Sequence, residues 1–333
     1  MAIDVHAHYF PPKALQSLRK EGERYGISVL DREPACACLH FEHGLTCRPF
    51  FPKLLESLDV RVDRMHSCGI HRQILSGWTD VFGYGLATAK GHAWHRLMNE
   101  TLAEVAASDP GHFSILASGH IPDPAGAARE LEYSVRSLGA VGGVVACNVE
   151  GTNLGELDLD EYWAAAVELD VPVFLHPAQP APTPRVKKFA LNQVAQYTFD
   201  TTLAIGSLIW SGVLDRFPGL KLIASHGGGS VPWLIGRFDC MHGRSDHAVT
   251  GIVARDKPSS YLQRFYYDTI LHDGNALRYL SERVGVERLV IGSDDSFPPA
   301  DLDPLASLRN AGFDEREIQM IGEDNPRRLF RLP

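Results

Sequence analysis

Ile3-Asp4-Val5-His6-Ala7-His8-Tyr9-Phe10-Pro11-Pro12 is a short apolar run that closes on two histidines and then two prolines. A strand alternates its faces, so His6 and His8 point the same way, and two imidazoles on one face can share a metal ion. An open doubly wound sheet usually follows its first strand with a glycine-rich turn. Here that position is filled by His-Ala-His-Tyr-Phe-Pro-Pro, which favours the other parallel architecture, a closed barrel.

The rest of the chain keeps that rhythm. β-branched or apolar runs recur at 3–6, 72–76, 113–119, 143–148, 171–176, 220–225, 264–268 and 289–292. Between them lie stretches with helical periodicity, as at 54–68, 87–107, 124–138 and 159–169. Strand alternating with helix about eight times predicts a single α/β domain over residues 1–333, a distorted (β/α)8 TIM barrel. The one long departure, about residues 10–50, predicts a small lobe inserted after the first strand.

Composition sets the class. The chain has 333 residues, 44% hydrophobic and 22% charged, enough to bury a large core. A net charge of −9 with scattered lysines and arginines argues against nucleic acid or an anionic membrane as partner. The opening residues lack a basic segment followed by an apolar one, and no apolar run approaches the ~18 residues of a membrane helix, so a cytoplasmic location is expected. The six cysteines read as reduced thiols. Cys36, Cys38 and Cys47 with His40 and His43 invite a zinc reading, but the usual two-residue spacing between thiolates is missing.

In a parallel barrel the C-terminal strand ends form the chemical face. His6 and His8 end the first run, His176 ends Val-Pro-Val-Phe-Leu-His, His226 ends Lys-Leu-Ile-Ala-Ser-His, and Asp294 ends Leu-Val-Ile-Gly-Ser-Asp. A lone histidine at a strand end is ordinarily structural; four strand ends in register are harder to explain that way. Imidazoles and a carboxylate on one rim suit zinc, manganese or iron. Only one carboxylate of Asp294-Asp295 can point into the barrel; Asp294 is assigned that place, and Asp295 is left to solvent or to support of the site. The remaining histidines are read as structural, with His120, near the end of the third run, the one to watch.

Asp-x-His-x-His at the start, Leu-His-Pro in mid-chain, Ser-His-Gly-Gly-Gly-Ser and Gly-Ser-Asp near the end together resemble the amidohydrolase superfamily, in its branch of metal-dependent decarboxylases and hydratases. The resemblance implies that His6, His8, His176 and Asp294 bind one divalent metal ion, Zn2+ first, with Mn2+ or Fe2+ as alternatives. It implies that His226 is the general base toward a metal-bound water, with Asp294 sharing proton transfer. It further implies that Arg48 and Arg237 grip a small-molecule carboxylate substrate, Arg237 across a homodimer interface. The activity implied is non-oxidative decarboxylation of an unsaturated or aromatic acid; the alternative is a hydrolase or hydratase acting on an amide, lactone or unsaturated acid. A third class, a non-catalytic barrel, is disfavoured by the complete set of ligands and base. Two segments depart from the family pattern, Asp295-Ser296-Phe297-Pro298 and the proline-rich 177–184, and both fall on the substrate side.

Overall fold

A computed structural model describes residues 2–32, 36–47, 51–178, 184–244 and 246–333. β1 (Ala2–His8) is buried on both faces, the pattern of a strand enclosed in a parallel sheet. The chain then leaves the barrel through α1 (Pro12–Tyr25) and a hairpin of β2 (Ile27–Arg32) with β3 (Cys36–Phe41). α2 (Leu58–Ser67) leads back to β4 (Ile70–Ser76), which pairs with β1 in parallel. Then follow α3 (Thr88–Ser108), β5 (Phe113–Ser118), α4 (Pro124–Leu138) and β6 (Gly142–Ala146). A two-residue ladder of β7 (Asn148–Val149) with β8 (Thr152–Asn153) precedes α5 (Asp160–Glu168) and β9 (Val173–His176). α6 (Tyr197–Trp210) and the short α7 (Val213–Arg216) lead to β10 (Leu222–Ala224). α8 (Val231–Arg244) and the short α9 (His247–Thr250) precede β11 (Phe265–Asp268), and α10 (Gly274–Val284) precedes β12 (Leu289–Val290).

The sheet order is β1-β4-β5-β6-β9-β10-β11-β12, with every pairing parallel. A parallel bridge between Ala7 and Asp295 and the bond from Val5 N to Ile291 O bring the last strand against the first. This is the (β/α)8 barrel, and each of the eight apolar runs read from the sequence falls on one of its strands. Among the described residues no helix is long and apolar enough to cross a membrane.

Local chemistry starts the helices where the sequence implies. α4 opens with Asp123 accepting from Gly126 N at 3.2 Å, has proline in its first turn, and ends at Gly139 in the left-handed region. The described part of the excursion carries its own apolar cluster: Phe10, Leu15 and Leu18 meet Leu39 and Phe41, and all pack on Trp78, Trp94 and Met98. Trp94 donates Nε1 to Val81 O at 2.8 Å, so its burial leaves no orphaned donor. Cys38 and Cys47 lie buried in this cluster's neighbourhood, Cys38 Sγ against Cys47 O. The two thiols are committed to backbone contacts, which removes them from the zinc reading.

Candidate metal centre

β1, β9, β10 and β12 end on the same rim and bring His6, His176, His226 and Asp294 to one point, with His8 beside His6 and Asp294. His6 Nε2 lies 3.2 Å from His8 Nε2 and 3.2 Å from Asp294 Oδ1, and His8 Nε2 lies 3.3 Å from that same oxygen. Ligand atoms of His6, His176, His226 and Asp294 all fall within 4.8 Å of one another. Close backbone approach is required: a Cβ on Gly292 would stand 2.7 Å from Asp268 Cβ and 2.9 Å from His6 Cβ.

The outward ring nitrogens decide what the inward ones can do. His6 Nδ1 faces Asp268 Oδ2 at 2.7 Å, His8 Nδ1 faces Gly77 O at 3.2 Å, and His176 Nδ1 faces Pro177 O at 2.6 Å. Carbonyls and carboxylates only accept, so these partners assign the proton to Nδ1 in all three rings and leave each Nε2 an acceptor. Three Nε2 lone pairs therefore face a carboxylate, and buried His176 Nε2 and Asp294 Oδ1 have no hydrogen-bond partner. Four acceptors held this close repel one another unless a cation lies among them, and the donor set fits a divalent ion.

Electrostatics agree. Burial pushes His8 down, and burial together with the neighbouring imidazoles pushes His176 well below the usual histidine range, so both rings are neutral. Burial also works against charge on His6, but Asp294 and Asp268 outweigh it and raise it to about 10. Burial opposes ionisation of Asp294, yet His6, His226 and His8 hold it well below the carboxylate range. Without metal, a proton on His6 takes the cation's place.

His226 stands at the edge of this group, its Nε2 3.6 Å from Asp294 Oδ2 and its Nδ1 buried without a partner. Both residues adopt left-handed backbone, φ 52° and 55°. That strain is sustained by the surrounding structure and aims both groups into a cavity of about 460 Å³. Phe51, Trp78 and Phe297 give the cavity an aromatic wall; Gln193, Thr198, Ser230 and His272 give it hydrogen-bonding groups. Phe297 belongs to one of the two segments that depart from the family pattern.

Several expectations are revised. Asp295 is not in solvent: it is 3% exposed and pairs with Arg61 at 3.3 Å and Arg64 at 2.7 Å. Both guanidiniums hold its carboxyl below the usual range despite its burial. His272, read as structural, lines the cavity, whereas His120 is buried elsewhere, its ring against Gly91. Arg237 lies exposed on α8, outside the cavity lining of its own chain. Arg48, and the proline-rich segment from 179 to 183, lie outside the described residues. Sequence reading missed Asp268, which holds His6 and accepts from Gly227 N at 2.9 Å. A signal was present, since Asp268 ends the seventh strand just as the metal-site residues end theirs.

A family model described as amidohydrolase matches residues 3–332. The 2-amino-3-carboxymuconate-6-semialdehyde decarboxylase of Dictyostelium discoideum is 29% identical over 307 residues, 91% of this chain and 84% of that one. The 5-carboxyvanillate decarboxylase structure from Sphingomonas paucimobilis superposes with a TM-score of 0.82 at 24% identity, covering 100% of this chain and 99% of the other. A dihydroxybenzoic acid decarboxylase from Polaromonas sp. JS666, solved with bound manganese and 2-nitroresorcinol, gives a TM-score of 0.75 at 23% identity, covering 99% and 97%. With a barrel of the right order, strand-end histidines and an aspartate in register and a family match over nearly its whole length, this chain belongs to the amidohydrolase family.

Proposed function

We propose that this chain is a metal-dependent carboxy-lyase that releases carbon dioxide from an aromatic or unsaturated carboxylic acid. The observation that carries the reading is four buried acceptors converging, with His226 beside them, at the floor of an aromatic-walled cavity. Named decarboxylases related over most of their length support it. His6, His8, His176 and Asp294 would hold the ion; zinc suits three imidazoles and one carboxylate, and manganese is what the Polaromonas structure contains. When bound, such an ion supplies a Lewis acid toward the substrate's oxygens.

The chain's own residues supply the rest. Phe51, Trp78 and Phe297 receive a planar ring and keep water from it. His226, with Asp294 Oδ2 at 3.6 Å, moves the proton. A carbon–hydrogen bond forms at the carbon that bore the carboxylate, the carbon–carbon bond breaks, its electrons stay with the ring system, and carbon dioxide departs. Arg237 belongs to this scheme through a homodimer. It stands on a surface where Trp233 and Met241 of α8 and Phe199 and Leu203 of α6 are exposed, a face suited to a second copy that would receive the guanidinium at its carboxylate site.

The test is purified protein assayed for metal and for carbon dioxide release from benzoates and muconates. About one equivalent of zinc or manganese is expected, and His226→Asn should keep the metal while losing ~100-fold or more in rate. A His226→Asn variant as fast as the parent would remove the assigned base. Arg237→Ala should raise KM without changing the dimer's mass, and a monomeric parent protein would sink the shared-site reading.

A further inference from the structure

β4 supplies none of the metal-site residues, yet the turn that follows it touches two of their rings. Gly77 O faces His8 Nδ1 at 3.2 Å, and Thr79 Oγ1 faces His176 Nδ1 at 2.8 Å. β1, which carries His8, is the neighbour of β4 in the sheet. β9, which carries His176, stands three strands further round, so the contact from Thr79 reaches across the mouth of the barrel. The turn itself is firmly held. Val81 N donates to Trp78 O and Phe82 N to Thr79 O, both at 3.1 Å, while Trp94 of α3 donates to Val81 O at 2.8 Å and Tyr197 of α6 donates its hydroxyl to Asp80 at 2.9 Å. Thr79 is 2% exposed, and branching at its Cβ restricts the direction its hydroxyl can take.

Proton counting gives that hydroxyl a definite job. It has one proton to donate and two lone pairs. Pro177 O lies 3.0 Å away and can only accept, so it takes the proton. His176 Nδ1 then meets a lone pair at 2.8 Å and must be the donor, which leaves Nε2 free of its proton and able to bind a metal ion. Pro177 O also faces Nδ1, at 2.6 Å, but it belongs to the residue next in sequence and moves with the ring's own backbone. Thr79 comes from a different strand. It therefore fixes the ring relative to the barrel, and it holds the Pro177 carbonyl by the same hydroxyl.

We propose that Thr79 is a positioning residue for metal binding, its hydroxyl fixing the tautomer of His176 and aiming Nε2 at the point where His6 and Asp294 converge. This role rests on the metal-dependent reading above and concerns how the ion is held, whichever acid the cavity takes. One turn thereby orients two rings, His8 through a backbone carbonyl that no substitution removes and His176 through a side chain that one can.

The experiment compares full-length parent protein with Thr79→Ser, Thr79→Val and Thr79→Ala. The first keeps the hydroxyl and loses the methyl, the second keeps the shape and loses the hydroxyl, and the third loses both. Zinc affinity is read by competition with a chromophoric chelator, and the visible spectrum of the cobalt(II)-loaded forms reports the geometry of the ligands. Thr79→Val and Thr79→Ala are expected to bind zinc about tenfold more weakly than the parent, and Thr79→Ser within about twofold of it. The cobalt bands should move in the two variants without a hydroxyl and return to the parent's position in Thr79→Ser. A purely packing role would instead sort the variants by volume, with Thr79→Val like the parent and Thr79→Ser as weak as Thr79→Ala, and that result would overturn the assignment. Should Thr79→Val fail to fold, judged by melting of the metal-free protein, the comparison of Thr79→Ser with Thr79→Ala decides alone, since these differ by one oxygen. One equivalent of zinc held equally tightly in all four proteins would remove Thr79 from its role and leave the metal-dependent reading standing. A parent that takes up neither zinc nor cobalt would overturn both.

Discussion

A single carboxylate, Asp268, decides which nitrogen of His6 carries the proton. Its Oδ2 accepts from Nδ1 at 2.7 Å while its Oδ1 accepts from Gly227 N at 2.9 Å, so it ties a metal-site ring to the turn that carries His226. Removing it leaves a buried imidazole N–H and a buried amide without acceptors, a cost of about 1–3 kcal/mol for each such group. It also frees His6 to adopt the other tautomer, which would put a proton where a lone pair is needed. Asp268→Ala is therefore expected to weaken metal binding ~10- to 100-fold, as loss of an outer hydrogen-bond partner generally does. A competition titration against a chromophoric chelator reads this directly. Asp268→Asn, which keeps an acceptor for one of the two bonds, should lose less. Equal losses would mean that charge, not the hydrogen bond, is what His6 requires.

At the scale of elements, α2 acts as a clasp. Its Arg61 is fully buried and donates to His8 O at 2.9 Å, Ser296 Oγ at 2.7 Å and Gln73 Oε1 at 2.9 Å, with Asp295 at 3.3 Å as counter-charge. It thus joins the end of β1 to the loop after β12 and to β4, where the barrel closes. Arg61→Met should destabilise the fold by about 3–5 kcal/mol, because several buried acceptors and part of a buried charge lose their partner. The denaturant midpoint measures this, and a loss under about 1 kcal/mol would show that Arg64 alone suffices for Asp295. The Arg61–Asp295 pair was not legible in the sequence: its residues lie most of the chain apart, and although Asp295 stands beside Asp294 at a strand end, nothing local says which buried cation it meets. The eight strands were legible for the opposite reason. Strands enclosed on both faces read as continuous apolar runs, even β12, which is only Leu289–Val290. His6, His8, His176, His226 and Asp294 were legible because they end such runs. His272 was not, since it follows β11 at a turn whose left-handed backbone no composition rule singles out.

For the whole molecule, the metal centre links stability to pH. In the metal-free protein, Asp294 and Asp268 raise His6 to about 10, against 6.5 for an ordinary histidine. A histidine raised in the folded state stabilises it fully below its unfolded value and loses that contribution as pH climbs through the folded one. Metal-free protein should therefore soften between pH 7 and pH 10 from this group. In the loaded protein the ion replaces the proton, so binding releases a proton and tightens as pH rises. Other groups that titrate in this window, far from the site, act on both forms alike and cancel in the difference. The gap in Tm between stoichiometrically loaded and chelator-treated protein is accordingly expected to widen steadily from pH 7 to pH 9.5. His6→Ala, which retains Asp294 but has no imidazole to protonate, should show a smaller gap with a flatter pH profile. A gap that narrows with pH in the parent would mean that the converging acceptors are already neutralised in some other way, and that the cation is not what this barrel rim is built to hold.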